Sequence, residues 1–271
     1  MGDGLFDDDA VIRRVAGESL LPLAGGGRAT LLQIAHPAVA QGVAEHSTFA
    51  ERPLDRLRTT MNYVYGVLYG TRAEAGAISR AVSALHARVT GPGYSANDPD
   101  LMVWVNATLY DTATTLYERV LGPLTEDERD ECYRQYSVLA TAIGCPSDRW
   151  PADRDAFARY FAHMVGTLRV GDTARRIADT LLRPGSLPLP LRPAMPLHRF
   201  VTIGLLPPPI REGFGYSWSP RRQHLLDHSF TATTAIYPHL PHRVRFAAKD
   251  FYLSDLRRRL NRRHNPQPTQ D

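Results

Sequence analysis

The sequence contains few cysteines, a single lysine and no long apolar run. Cys132 and Cys145 are too few for a disulfide framework, and the absence of Cys-x-x-Cys-His excludes a covalently attached c-type haem. No run of about eighteen apolar residues exists, so no transmembrane helix is expected. The first residues are acidic and lack an apolar core, so we predict a cytoplasmic protein without a secretory signal.

Positive charge is carried almost entirely by arginine. Lys249 is the only lysine among 32 basic residues, and the formal net charge is +4. No basic run interleaved with aromatic residues occurs before the carboxyl terminus, so nucleic-acid binding is not expected. The arginine-rich segment 257–263 is typical of a solvated helix end. The alternative is a peripheral contact of these arginines with a membrane surface or an acidic partner.

Apolar residues recur at helical spacing along most of the 271 residues, and no period-two pattern persists. We therefore predict an all-α protein, with a single domain over residues 5–263 that contains about ten helices. A proline-rich arm at 184–209 separates the helical core from carboxyl-terminal helices at 219–263, and 264–271 is expected to be disordered. The predicted helices are 5–21, 28–45, 53–69, 72–90, 99–121, 125–143, 153–169, 172–182, 219–237 and 243–263.

Two successive predicted helices, 53–69 and 72–90, contain the residues of greatest interest. Arg56 and Thr60 lie one turn apart on the first helix, beside its apolar stripe, and His86 lies on the apolar side of the second. A histidine on such a face is either a core residue with a hydrogen-bond partner or a ligand to a metal or haem. Spacing alone does not decide between these interpretations.

A triple glycine, Gly25–Gly27, precedes the helix predicted at 28–45, within which Pro37 predicts a kink or boundary near His36. A phosphate-binding loop would need a following Gly-Lys-Ser/Thr, which is absent. We expect either a flexible entry to the helix or a close approach of the backbone to a cofactor. His36 and His46 lack the spacing of a metal-binding pair. His163 and Met164 are candidates for haem neighbours, but packing in the core is the favoured interpretation for both.

Several segments resemble the signature of a haem oxygenase family that includes the latex-clearing proteins (rubber oxygenases) and the MpaB-type oxygenases. The similarity covers most of residues 15–185 and continues more loosely through 205–208. The segments that carry it are Arg56-Leu57-Arg58-Thr59-Thr60, Leu85-His86-Ala87-Arg88-Val89-Thr90-Gly91, Gly25-Gly26-Gly27-Arg28, Leu31-Leu32-Gln33-Ile34-Ala35-His36-Pro37, His46-Ser47 and Tyr94-Ser95-Ala96-Asn97-Asp98-Pro99 before Trp104-Val105.

The resemblance implies a helical fold around a non-covalently bound haem b, with dioxygen as co-substrate. It gives His86 the role of proximal iron ligand, and it places Arg56 and Thr60 in the distal-side motif as catalytic and cofactor-binding residues. His46 is expected close to the haem as well, and Trp104 is a candidate for a wall of its pocket. Rubber oxygenases of the best-known type have a lysine where this chain has Thr59, so a lysine-capped iron is not expected here. Rubber as substrate is not expected either, because those secreted enzymes are longer and have an export signal that this sequence lacks.

The implied activity is that of a haem-dependent oxygenase or oxidase acting on an apolar small molecule, with cleavage of a carbon–carbon double bond in an isoprenoid-like substrate. One alternative is a haem-dependent dehydrogenase or hydroxylase in natural-product tailoring. Another is a non-enzymatic helical protein that binds a lipid or a partner. Glu45 and Glu51 are both candidates for a catalytic base, and the sequence does not choose between them or specify an oligomeric state.

Overall fold

Helices make up nearly all the regular structure in residues 3–46, 53–183 and 189–264, which are the residues that the computed structural model describes. A two-residue antiparallel hairpin, Thr90–Gly91 with Tyr94–Ser95, provides the strands in these ranges. The all-α prediction is therefore confirmed. The first seven helices are α1 (Val11–Ala16), α2 (Gly26–Ala35), α3 (Pro37–His46), α4 (Pro53–Tyr69), α5 (Arg72–His86), α6 (Pro99–Leu121) and α7 (Glu126–Thr141).

The second half of the chain is also helical, including the segment that its prolines predicted to be an irregular arm. Pro196, Pro208 and Pro220 each lie in the first turn of a helix, where the absent N–H leaves no hydrogen bond unmade. Residues 184–188 of the predicted arm and 265–271 of the predicted tail lie outside the described residues. The helices are α8 (Arg154–Thr167), α9 (Asp172–Leu182), α10 (Met195–Gly204), α11 (Pro208–Gly213), α12 (Pro220–Ile236), α13 (His242–Arg245) and α14 (Ala247–His264).

Side-chain caps begin several of the helices. Thr71 and Glu74 form a reciprocal capping box at the start of α5, and Thr125 and Glu128 do the same at α7. The Asp98 carboxylate accepts a backbone N–H at the start of α6. Because these caps depend on local sequence, the three helices begin within one residue of the predicted positions.

The glycine stretch Gly25–Gly27 is helical rather than a flexible entry. A π-helical turn, Leu21–Gly25, continues directly into α2. Helix α2 ends at Ala35, and Pro37 begins α3, so the predicted boundary near His36 is observed. Consecutive helical glycines allow neighbouring elements to approach the backbone closely.

Helix α6 runs through the centre of the fold and packs against α1, α2, α7 and α12. Its Tyr110 contacts Tyr133, Tyr136 and Phe157 edge-to-face, with ring centroids 5.3, 5.2 and 4.9 Å away. Within the described ranges, every helix is too short or too polar to cross a lipid bilayer.

Helix α14 is joined to α4 by a buried carboxylate. Asp255 is 1% exposed and accepts hydrogen bonds from Arg58 Nε at 2.7 Å and Asn62 Nδ2 at 2.9 Å, both on α4. Arg259 Nε, on the same helix as Asp255, donates at 3.0 Å. The hydrogen bond from Arg58 is the main reason that the pKa of Asp255 lies well below its usual value.

Candidate functional site

An apolar cavity of about 320 Å³ lies between α2, α4, α6, α7 and α10. This volume is at the lower end of the range of about 300–1,000 Å³ that is typical of small-molecule sites. Wider grooves of up to 770 Å³ at the surface contain none of the predicted site residues. The cavity is therefore the candidate site. Its apolar wall includes Leu57, Met61, Val64, Leu109 and Leu139.

Arg56 and Thr60 both line this cavity, and their spacing of one turn places them on the same face of α4. Arg56 keeps some accessible surface because it faces the cavity, yet protein surrounds it, and burial lowers the pKa of its guanidinium. No acidic side chain among the described residues forms an ion pair with Arg56. A buried cation without a counter-ion is costly, so this arrangement favours an anionic group in the cavity.

His86 is the last residue of α5 and is half-buried. Its Nδ1 is buried and has no hydrogen-bond partner in the described part of the chain. Burial lowers the pKa of His86, and the positive charge of nearby Arg56 lowers it further, so the imidazole is neutral at pH 7. The side chain does not itself line the cavity. The structure thus brings His86 close to Arg56, and its role as an iron ligand stays a prediction.

The described residues contain no group of three or more His, Cys, Asp or Glu side chains that could hold a metal ion. An iron bound at His86 would therefore need most of its ligands from a macrocycle such as a porphyrin. Neutral imidazole with a free ring nitrogen is the form of histidine that binds metals. The chemistry of His86 and the missing counter-ion of Arg56 both fit a haem, which carries an iron and two carboxylates.

A second imidazole, His198 of α10, lines the cavity, and the sequence pattern did not identify it. Its Nδ1 is buried without a hydrogen-bond partner among the described residues, and burial lowers its pKa. Four residues later on the same face of α10, Thr202 is fully buried and its Oγ1 also lacks a partner in the described ranges. The sequence offers one signal for this helix: Pro196 is a residue that is tolerated in the first turn of a helix, and the residues that follow it could therefore be helical.

Arg28 fixes the end of α2 that carries the glycines. Its guanidinium donates to the Leu205 carbonyl at 2.8 Å, to Thr112 Oγ1 at 2.6 Å and to the Asp111 carboxylate at 2.6 Å. Thr112 itself lines the cavity. The buried guanidinium therefore connects α2, α6 and the end of α10, which fixes the positions of these three walls of the cavity relative to one another.

Trp104 lies outside the cavity lining. The side chain is fully buried, stacks on Phe161 at a centroid distance of 5.7 Å, and donates from Nε1 to the backbone carbonyls of Leu32 at 3.1 Å and Gln33 at 3.3 Å. Because Gln33 lines the cavity, Trp104 supports the wall formed by α2. A direct contact between Trp104 and a cofactor stays a prediction.

His46 is exposed at the end of α3, where its Nε2 lies 2.9 Å from the Tyr94 hydroxyl and 3.1 Å from the Thr90 carbonyl. The Tyr94 hydroxyl donates to the Glu45 carboxylate, and this hydrogen bond is the main cause of the lowered pKa of Glu45. These side chains join α3 to the hairpin and do not line the cavity. Glu51, the other candidate base, lies outside the described residues.

The described residues thus form an all-α fold around an apolar cavity, with an arginine in its wall that has no ion-pair partner among them. The chain belongs to the family described as ER-bound oxygenase mpaB/B'/rubber oxygenase, catalytic domain, whose family model matches residues 13–236. The resemblance identified from the signature segments is therefore confirmed. The match includes every helix that lines the cavity, so the site lies within an oxygenase catalytic domain.

Two mycobacterial proteins are similar along nearly their whole length. An uncharacterised protein of Mycobacterium tuberculosis and one of Mycobacterium bovis are each 30% identical to this chain over 248 residues, which are 88% of this chain and 96% of the relative. No solved structure matches the chain.

Proposed function

We propose that this protein is a haem b-dependent oxygenase that uses dioxygen to oxidise an apolar small molecule. Cleavage of a carbon–carbon double bond in an isoprenoid-like molecule is the reaction favoured by the family resemblance. The observation that carries the proposal is Arg56, a buried cation without a counter-ion among the described residues, which faces the apolar cavity and lies close to the unpartnered imidazole of His86.

In this proposal two residues of the chain, His86 and Arg56, bind the cofactor. His86 is the iron ligand, and its neutral imidazole needs no deprotonation before it binds. Arg56 pairs with a haem propionate and so obtains the counter-ion that the protein does not provide. Bound haem supplies the redox chemistry by which dioxygen is activated.

The remaining cavity residues select and shield the substrate. Thr60 provides a hydroxyl that can donate one hydrogen bond within the cavity. Leu57, Met61 and Leu139 accept a hydrocarbon surface and exclude water from it. We assign no catalytic base, because Glu45 is exposed and bonded to Tyr94, outside the cavity lining.

The ligand assignment is tested by haem content and absorption spectrum. The purified protein, expressed with haem supplementation, is expected to show a Soret band and to contain one haem b per chain by the pyridine haemochromogen assay. His86→Ala should lower bound haem by at least about tenfold, because loss of a direct ligand should exceed the 10- to 100-fold effect typical of residues that only support a ligand.

His163→Ala is the matched control, because His163 is an exposed histidine on α8 that does not line the cavity. Its haem content should equal that of the wild type. An unchanged haem content and ferric spectrum in His86→Ala would show that another group binds the iron.

Purification without haem despite supplementation would contradict the proposal and favour a carrier of apolar ligands. Under labelled dioxygen, an oxygenase places the label in the product, whereas a haem-dependent dehydrogenase does not.

A further inference from the structure

A surface groove of about 680 Å³ lies beside α10, between the end of α9 and residues 215–222. Among the described residues, Met195 is the one that lines both this groove and the apolar cavity. Aspartate and glutamate are missing from the described lining of the groove, whereas arginines reach it from four different segments of the chain. These residues define the arginine groove: Arg183, Arg192, Arg199 and Arg222. A cleft lined by charge of one sign attracts and concentrates ions of the opposite sign.

The guanidinium groups of the arginine groove have donors available for a ligand. Neither Arg183 nor Arg199 forms a hydrogen bond or an ion pair with another described residue. Arg222 donates from Nη1 to the Ser217 carbonyl at 2.8 Å, which leaves its other N–H groups available. On α8, by contrast, Arg154 has two carboxylate partners. The cations of the groove are therefore not neutralised by neighbouring carboxylates of the described chain.

Tyr216 shows that two of these arginines approach the same part of the groove. Burial is the main factor that raises the pKa of the Tyr216 hydroxyl to about 12, and Asp179 adds to the effect, whereas Arg199 and Arg183 oppose it. Both arginines thus lie close enough to act on the hydroxyl, which is protonated at pH 7 and can donate a hydrogen bond. Asp179 is exposed and does not line the groove. Two cations and a neutral donor therefore converge there.

Aromatic rings form an apolar wall next to these charges. Phe200 and Trp218 both line the groove, with ring centroids 5.3 Å apart. Trp218 is held by a hydrogen bond of 2.9 Å from its Nε1 to Gln223 Oε1, and Tyr216 stacks on Phe214 at 5.8 Å. The rings are thus fixed by the protein itself, and the wall is formed before a ligand arrives. A charged end beside a rigid apolar wall suits a ligand that has both an anionic group and an apolar part.

We infer that the arginine groove binds the phosphate group of a soluble organic phosphate, whose apolar part lies against Phe200 and Trp218. A phosphate monoester carries nearly two negative charges at neutral pH and has three acceptor oxygens, so it can bond to several guanidinium groups at once. A carboxylate has one charge and two oxygens, and it matches a lining of four arginines less well. This ligand binds outside the cavity, so the inference extends the proposed function and does not depend on the haem assignment.

The test compares phenyl phosphate with phenylacetate and with inorganic phosphate. Binding to the full-length protein as purified is followed by NMR titration at pH 7.5 and constant ionic strength. Phenyl phosphate is expected to bind more tightly than either of the other compounds. Arg222→Met and Arg199→Met should each weaken its binding about tenfold, the effect of one charge-assisted hydrogen bond. Arg221→Met is the matched control, because it removes the same charge from an exposed neighbour that does not line the groove, and its effect should be below about twofold.

A wild-type measurement avoids dependence on the folding of the variants. Phenyl phosphate should shift the indole N–H signal of Trp218 but not that of the fully buried Trp104. No shift at Trp218, equal effects of Arg221→Met and Arg222→Met, or equal binding of phenyl phosphate and either comparison compound would overturn the inference. Cosedimentation with phosphatidic acid vesicles that Arg222→Met abolishes and Arg221→Met preserves would also overturn it, since the groove would then bind a membrane surface.

Discussion

Arg56 and Arg58 lie two residues apart on α4 in opposite electrostatic surroundings. Arg58 donates to the buried carboxylate of Asp255, and this hydrogen bond raises the pKa of Arg58. Arg56 faces the cavity without an ion pair among the described residues, and burial lowers its pKa. One arginine therefore stabilises the fold, whereas the other lowers its stability because its charge has no counter-ion among the described residues.

Replacement of the two arginines by methionine should therefore change stability in opposite directions. In haem-free protein, Arg56→Met is expected to raise the free energy of unfolding by about 1–2 kcal/mol, because an unpaired buried charge is removed. Arg58→Met should lower it by about 1–3 kcal/mol, because Asp255 loses a charged hydrogen-bond donor. Urea unfolding of both variants gives the comparison. A loss of stability in Arg56→Met as large as that in Arg58→Met would mean that Arg56 already has a counter-charge within the chain.

The sequence predicts the relative positions of site residues when they lie on one helix, but not when they come from helices that are far apart in the sequence. The family resemblance identifies Arg56 and Thr60, and their spacing of four residues places both on one face of α4. His198 depends on the packing of α10 against α2, two helices far apart in the sequence. Its surrounding prolines predict irregular structure, so no local pattern could place it at the cavity.

At the scale of elements, the contact between α2 and α10 determines the shape of the cavity. Gly27 meets Thr202 and His198, and Gly25 meets Leu116 at 2.7 Å from the position of a Cβ atom. The glycines therefore do not form the flexible entry that the sequence suggested, but allow neighbouring helices to approach the backbone closely. The alternative, close approach of the backbone to a cofactor, stays a prediction.

Alanine substitutions at two helical glycines distinguish this packing from helix propensity. Alanine is favoured over glycine in a helix interior by about 1 kcal/mol, so propensity alone would make either substitution stabilising. Gly27→Ala is instead expected to lower the free energy of unfolding by about 1–3 kcal/mol, because the new methyl group overlaps Thr202 Oγ1.

Gly76→Ala in α5 is the control, because its methyl group would meet only the mobile end of Arg80 at 3.2 Å. It should stabilise the protein by about 0.5–1 kcal/mol. Thermal or urea unfolding of both variants shows whether each substitution raises or lowers the free energy of unfolding. A stabilising Gly27→Ala would show that α10 is not held as closely against α2 as the structure indicates.

Helices that begin at a capping residue were predicted within one residue, whereas α10, whose position depends on tertiary contacts, was not predicted. Helices α5, α6 and α7 begin at the predicted positions because a cap and its partner lie within three residues of each other. Helix α10 was missed because prolines dominate its local sequence, although Pro196 occupies a position where helices tolerate proline.

At the scale of the whole molecule, ion pairs connect the carboxyl-terminal helix α14 with the two central helices α4 and α5. Asp255 joins α14 to α4, and Arg257 of the same helix bonds to Glu74 of α5. Because Arg58 holds the folded-state pKa of Asp255 below its unfolded-state value, the carboxylate stabilises the fold fully above about pH 5. This contribution is lost progressively as the pH falls below about 4 toward the folded-state pKa.

Asp255→Asn should therefore lower the free energy of unfolding by about 1–3 kcal/mol at pH 7, since the remaining arginines are partly solvated. The difference from the wild type should shrink as the pH is lowered from 5 to 3. Asp130→Asn is the control, because this carboxylate is 67% exposed in its pair with Arg154 and should matter by less than about 0.5 kcal/mol. A difference between Asp255→Asn and wild type that is constant with pH would rule out an ionised Asp255 as the source of the stabilisation.

The absence of a side chain at Gly27 has a consequence for the range of molecules that the protein can accept. Most enzymes enlarge a binding site by rotating a flexible side chain out of the way. At Gly27 the face of α2 that meets α10 consists of peptide groups, which have no rotamers and cannot be turned aside. Where α10 contacts Gly27, the cavity can therefore widen only through its other side chains or through movement of a helix.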